Sequence, residues 1–202
     1  MKNLKSNKKG FSIIEILVGM FVFSMWIVSV YLVIHSIINM NDYNKNYIVT
    51  SNLAREQIEL VRNIRDSNYQ QLKKYNQINP ANAEYDKVFE VWKSYIIEND
   101  YRGSADFPIR VTEITNLADK EMYRMCLDSK NRYTYTYGWT NPNCVKELQY
   151  FSYVTVAPVE FIQWATTQTI SDALKFTSKV EWHIRWKHNF ELPVIIADWK
   201  RL

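Results

Sequence analysis

Residues 11–40 read FSIIEILVGMFVFSMWIVSVYLVIHSIINM, and Glu15 and His35 are their only ionisable side chains. Nothing else in the chain limits its fold so sharply. About 20 apolar residues suffice to cross a bilayer as a helix, and this run at the helical rise would reach ~45 Å, beyond the hydrocarbon core. Lys2, Lys5, Lys8 and Lys9 precede it, and residues 1–10 contain no acid. That asymmetry predicts a cytoplasmic N-terminus, with the chain after residue 40 outside the cytoplasm.

Three readings of the run compete. A cleavable secretory signal has a shorter apolar core followed by a small-x-small site, and neither condition is met. A plain single-pass anchor fits the length but leaves Glu15 unexplained, since an acid at a helix centre in lipid costs about 3 kcal/mol on an insertion scale. In the third reading the chain is cut between Gly10 and Phe11. The lysines leave, and Phe11 gains an α-amino group one helical turn from Glu15. That amine and the carboxylate of a neighbouring subunit then neutralise each other, and a paired buried charge costs far less than a lone one.

KKG followed by FSIIE resembles the type IV prepilin signature: a basic leader, glycine before the cut, phenylalanine after it, glutamate at the fifth mature position, and a long apolar helix. The resemblance implies a membrane aspartyl peptidase that cuts after Gly10 and N-methylates Phe11. It also implies a role for Glu15 in docking subunits within a helical filament. One departure is the absence of a helix-kinking proline near Leu32, which many major pilins carry. His35 is expected near the outer interface, snorkelling or hydrogen-bonded.

Past the membrane run the helical pattern continues without glycine or proline through Tyr75. Tyr47, Ala54, Ile58, Val61 and Ile64 form one apolar stripe. Glu56, Glu59, Arg62 and Arg65 take other faces, with Glu59 and Arg62 placed to support each other. LAREQIELVRNIRD also looks like pilin-like proteins with larger heads. Residues 70–103 carry turn signals, and VFEVWKSYI is open to helix or strand. The remainder reads as β-structure. FPIRVTEI is a candidate strand, EMYRMCL and YTYTYGW flank a turn at DSKNR, and FSYVTVAPV is a strand ended by Pro158. In LKFTSKVEWHIRWK, Leu174, Phe176, Val180, Trp182, Ile184 and Trp186 share one parity, with Ser178 the polar exception. A last strand, LPVIIADW, has Pro193 suited to an edge.

The expected fold class is α+β and pilin-like, a long N-terminal helix packed on a C-terminal antiparallel sheet. The expected divisions are a leader (1–10), a membrane or filament-core helix (11–40), its amphipathic continuation (41–69), and a head (70–202) that is mainly sheet from about 105.

Beyond the leader, 21 basic residues balance 21 acidic ones, so net charge offers no nucleic-acid footprint. Four glycines and five prolines argue against Gly-rich phosphate loops. Cys126 and Cys144 are the only cysteines, and an oxidising compartment permits a disulfide between them. The alternative is two reduced thiols, and two cysteines do not make a closed metal site. His183 and His188, placed on one strand, would point to opposite faces. Trp182 and Trp186 are expected in the core, while Trp139 and Trp164 sit near turn-like sequence. Tyr133, Tyr135 and Tyr137 read as one strand face. No catalytic motif, metal site or cofactor is expected. The functional expectation is a minor pilin or pseudopilin, with other pilin subunits, the prepilin peptidase, an assembly platform and the bilayer as partners. The rivals are a singly anchored extracytoplasmic binding protein or adhesin, and a membrane-tethered enzyme.

Overall fold

The structure is a computed structural model that describes residues 12–78, 87–99, 109–138, 141–163, 166–183 and 187–198. The chain divides into two compact units, Met1–Lys45 and Asn46–Leu202. A long N-terminal helix and a curled antiparallel sheet make an α+β, pilin-like architecture.

Helix α1 spans Ile13–Gln70. With Gly19 its only glycine and no proline, nothing in its interior interrupts the hydrogen-bond ladder. Its end is marked by Leu72 at φ 58, where the N–H of Lys73 returns to the carbonyl of Asn68 at 2.8 Å. A left-handed residue after the last turn is the usual way to satisfy terminal carbonyls, although glycine normally fills it. Lys73 and Lys74 follow, a favourable sign of charge at a helix C-terminus.

Within the second unit, α1 buries Thr50, Leu53, Ala54, Gln57, Ile58, Leu60, Val61, Ile64 and Asn68. The expected apolar stripe is therefore present but carries three polar rungs, and Tyr47 stays 44% exposed while its ring meets Phe190 edge-on at 5.4 Å. Glu59 and Arg62 pair at 2.6 Å on the exposed side, where such pairs contribute little.

Seven strands follow among the described residues: β1 Ser94–Asn99, β2 Ile109–Ile114, β3 Arg124–Leu127, β4 Tyr133–Tyr135, β5 Lys146–Gln163, β6 Thr166–His183 and β7 Lys187–Ala197. Strand β5 is the spine. One edge pairs with β6, which carries β7 at the outside. The other edge pairs first with β3 of the β3–β4 hairpin and then with β1 of the β1–β2 hairpin. Ile58, Val61 and Ile64 of the helix share a core with Tyr95, Ile97, Val154, Val156, Phe176 and Ile196. Phe89 meets both Tyr95 and Phe176 edge-on at 5.1 Å. Full burial of a large aliphatic or Phe side chain stabilises by roughly 1.5–3 kcal/mol, and this row holds the helix to the sheet.

Several boundaries differ from the sequence reading. The open segment VFEVWKSYI supplies β1, so the sheet starts at Ser94, ahead of residue 105. Pro158 does not end its strand: β5 continues to Gln163, with a register shift after Pro158. The edge of β5 that faces β1 is unpaired beyond Val156 among the described residues, so the missing proline N–H costs no ladder bond. LKFTSKVEWHIRWK is not one strand: β6 ends at His183, and Lys187 begins β7, five residues before the expected LPVIIADW. Ile184 and Trp186 lie outside the described residues. The parity of the rest holds, with Leu174, Phe176, Val180 and Trp182 buried. Pro193 sits on β7, which pairs only with β6 among the described residues.

Candidate functional site

The site to which the sequence points is the start of α1. Ser12 stands at its N-cap: the Ser12 carbonyl accepts the N–H groups of Glu15 at 3.0 Å and Ile16 at 3.2 Å. Glu15 falls in the first turn, where the unpaired N–H groups and the helix dipole favour an anion. Ser12 and Glu15 also have the S-x-x-E spacing of a capping box. The helix start therefore tolerates this carboxylate better than the middle of the span would. Glu15 is exposed, and no hydrogen bond or ion pair to its side chain occurs among the described residues.

One turn along the same face, a Cβ built on Gly19 would meet nothing within 4 Å. A small residue there leaves room for another helix to approach closely beside the carboxylate. Several other polar groups of the run bond within the helix. Ser24 and Ser29 donate to the carbonyls of Met20 and Met25 at 2.8 and 2.9 Å. His35 Nδ1 bonds with the Asn39 amide at 2.8 Å, and Tyr31 meets the His35 ring edge-on at 6.2 Å. The helix contains an 18-residue window of mean hydropathy 2.4, so α1 is long and apolar enough to cross a membrane. Gly10 and Phe11, the residues flanking the expected cut, lie outside the described residues.

In the second unit the structure joins Cys126 of β3 to Cys144 by a disulfide, with Cα atoms 5.7 Å apart. His183 and His188 point to opposite faces, but from neighbouring strands. His183 meets Phe151 edge-on at 5.6 Å, whereas His188 stacks on buried Trp182 at 5.2 Å. Phe151 lies beneath Arg124 and Lys120, at 5.5 and 5.9 Å from its ring centre. Arg124 is held by Glu121 at 2.9 Å and Glu147 at 2.8 Å, so the guanidinium in this open groove is already neutralised.

Two clusters were not visible in the sequence. Gln57 of α1 donates its amide to Tyr135 Oη at 2.7 Å and accepts the Ser178 hydroxyl, which ties helix, β4 and β6 together. Ser178 was the polar exception in an apolar parity, and that exception was the available signal. Tyr137 and Thr134 both donate to Glu98, and Arg110 lies 4.8 Å above the Tyr137 ring. Burial first, and then the Glu98 charge, push the Tyr137 phenol up. Tyr133, Tyr135 and Tyr137 do not share one environment: Tyr133 is exposed, Tyr135 is buried, and Tyr137 lies past the strand at φ 49. Trp92 also has a positive φ, 68°, and stands 79% exposed. Trp139, Trp164, Trp186 and Trp199 lie outside the described residues.

Among the described residues no three His, Cys, Asp or Glu side chains gather as a metal site. No curated protein and no solved structure matches the chain. Residues 5–31 match the family model of the prokaryotic N-terminal methylation motif, and with one long apolar helix among the described residues the chain carries the type IV pilin signature.

Proposed function

We propose that the chain is a structural subunit of a type IV pilus or related filament, a minor pilin or pseudopilin rather than an enzyme. Its carrying observation is a carboxylate in the first turn of an uninterrupted apolar helix, directly inside the methylation motif. The chain inserts with its lysines in the cytoplasm and its head, residues 70–202, outside. The prepilin peptidase removes residues 1–10 by cutting after Gly10 and methylates the Phe11 amine. An assembly platform then moves residues 11–40 from lipid into a filament core, with 41–69 as the link to the head. There Glu15 meets the terminal amine of a neighbouring pilin, and open space at Gly19 lets the helices approach. Helix packing supplies most of the attraction, and the ion pair sets register, because buried pairs often add little net stability. A sizeable, aromatic head suits a specialised subunit.

The test is recovery of the chain in sheared extracellular filaments, for wild type and Glu15→Ala. Wild type is expected in the filaments. Glu15→Ala is expected in the membrane at an undiminished level and depleted from filaments. A wild-type chain confined to the membrane would instead support a singly anchored binding protein. Unchanged incorporation of Glu15→Ala would remove the carboxylate from the mechanism.

A further inference from the structure

Glu15 and His35 bracket residues 16–34, and no side chain between them ionises. Helix α1 is unbroken across this stretch, so the step from Glu15 to His35 measures ~30 Å along its axis. The hydrocarbon core of a bilayer is also ~30 Å thick. The whole run, ~45 Å as a helix, matches the ~40–45 Å of core plus interfaces. Only one placement of such a span within residues 11–40 keeps both groups out of hydrocarbon. A span beginning at Phe11 sinks Glu15 by about one turn, and one ending at Met40 sinks His35 by more.

The two ends of the bracket are built for water and its middle for lipid. The apolar side chains from Ile16 to Ile34 are exposed, and the Ser24 and Ser29 hydroxyls donate to carbonyls of their own helix. Trp26 lies near the centre against Phe23, ring centres 6.3 Å apart. At the outer end Tyr31, His35 and Asn39 recur every four residues and share one helix face. The Asn39 amide donates to His35 Nδ1 at 2.8 Å, and the Tyr31 ring meets the imidazole edge-on. With Nδ1 accepting, the neutral ring carries its proton on Nε2, and the amide keeps a second N–H. That face therefore offers two donors at the level where hydrocarbon ends, complementary to the acceptor oxygens of a lipid phosphodiester.

We propose that Glu15 and the Tyr31–His35–Asn39 face set the bilayer register of the stored subunit. Hydrocarbon covers residues 16–34, Glu15 stays hydrated among the inner headgroups, and His35 and Asn39 bond to phosphodiesters of the outer leaflet. The inference rests on the membrane-anchored pilin reading and adds a consequence to it. Glu15 meets apolar surroundings only at assembly, when the neighbouring amine is also at hand. Leaving the membrane then requires the His35 face to release its headgroups.

The experiment places the full chain, native disulfide intact, in nanodiscs of dioleoylphosphatidylcholine and dioleoylphosphatidylglycerol. Single spin labels at Ile16→Cys, Met20→Cys, Met25→Cys, Val30→Cys and Ile34→Cys report depth by power saturation with oxygen and a nickel chelate. The deepest label is expected at position 25, with 16 and 34 equally shallow. His35→Leu extends the apolar stretch to Met40 and is expected to move the centre to about residue 28, a slide of ~4–5 Å. His35→Gln, which keeps a donor, is expected to hold the centre at 25. A wild-type centre near 20 or 30, or a centre that His35→Leu leaves in place, overturns the register and leaves the pilin reading standing. Labels that are all open to the nickel chelate overturn the membrane span, and the pilin reading with it.

Discussion

Gln57→Leu tests how the helix is keyed to the sheet. The substitution roughly conserves volume but deletes both amide bonds, leaving the Tyr135 and Ser178 hydroxyls against a methyl group. Gln57 is 3% exposed and Ser178 0%, so water does not readily replace the lost partner. An unsatisfied buried hydroxyl costs about 1–3 kcal/mol, and with two of them the expected loss is ~2–4 kcal/mol after local relaxation. At about 2–4 °C per kcal/mol for a unit of this size, the melting temperature is expected to fall by ~5–15 °C. The assay is urea or thermal unfolding of the full chain in mild detergent, followed by the sheet signal in circular dichroism. The triple variant Gln57→Leu, Tyr135→Phe, Ser178→Ala makes all three positions apolar and is expected to recover most of the loss, because removing every partner leaves none unsatisfied. A Gln57→Leu chain as stable as wild type, or a triple variant as weak as the summed single changes, would refute the reasoning.

Acid and alkali are expected to weaken the head for opposite reasons. Glu113 is held below its ordinary 4.5, first by the hydrogen bond from Lys93, and Asp128 below 3.8, first by the Arg132 backbone N–H. Their stabilisation is complete above those values and disappears as pH falls through the depressed folded values. Burial, and then Glu181, push the Tyr123 phenol from 10.0 to about 12. Its contribution is intact below 10 and is lost as pH rises toward 12, so thermal melts across pH are expected to show a plateau that falls on both sides. Cys144→Ser opens a loop with a sequence separation of 18 and is expected to cost ~3 kcal/mol on the chain-entropy argument. Cys126→Ser is expected to cost more, since Cys126 is fully buried, and urea unfolding of both variants checks the order.

The apolar run and its single carboxylate were legible in the sequence because lipid admits so few backbone solutions. The period of two between Leu174 and Trp182 was equally plain, since the two faces of that strand meet different surroundings. Strand ends were harder. Pro158 and Lys187 mislead when read locally, because proline is harmless on an unpaired edge and a lysine fits the start of β7 as well as the end of β6. Strand β1 was ambiguous for another reason: Ser94–Ile97 is buried throughout, so it shows no alternation. The Gln57 junction joins residues 78 and 121 positions apart, a distance at which local pattern carries no information. Only the unexplained serine at 178 hinted at it.

The N-terminal mass of the chain recovered from working filaments bears most directly on the central claim, that an acid costly in lipid becomes tolerable once proteolysis creates its counter-ion on a neighbour. A mature chain beginning at N-methylated Phe11 is the predicted result. A chain still bearing Lys2 through Gly10 would contradict it.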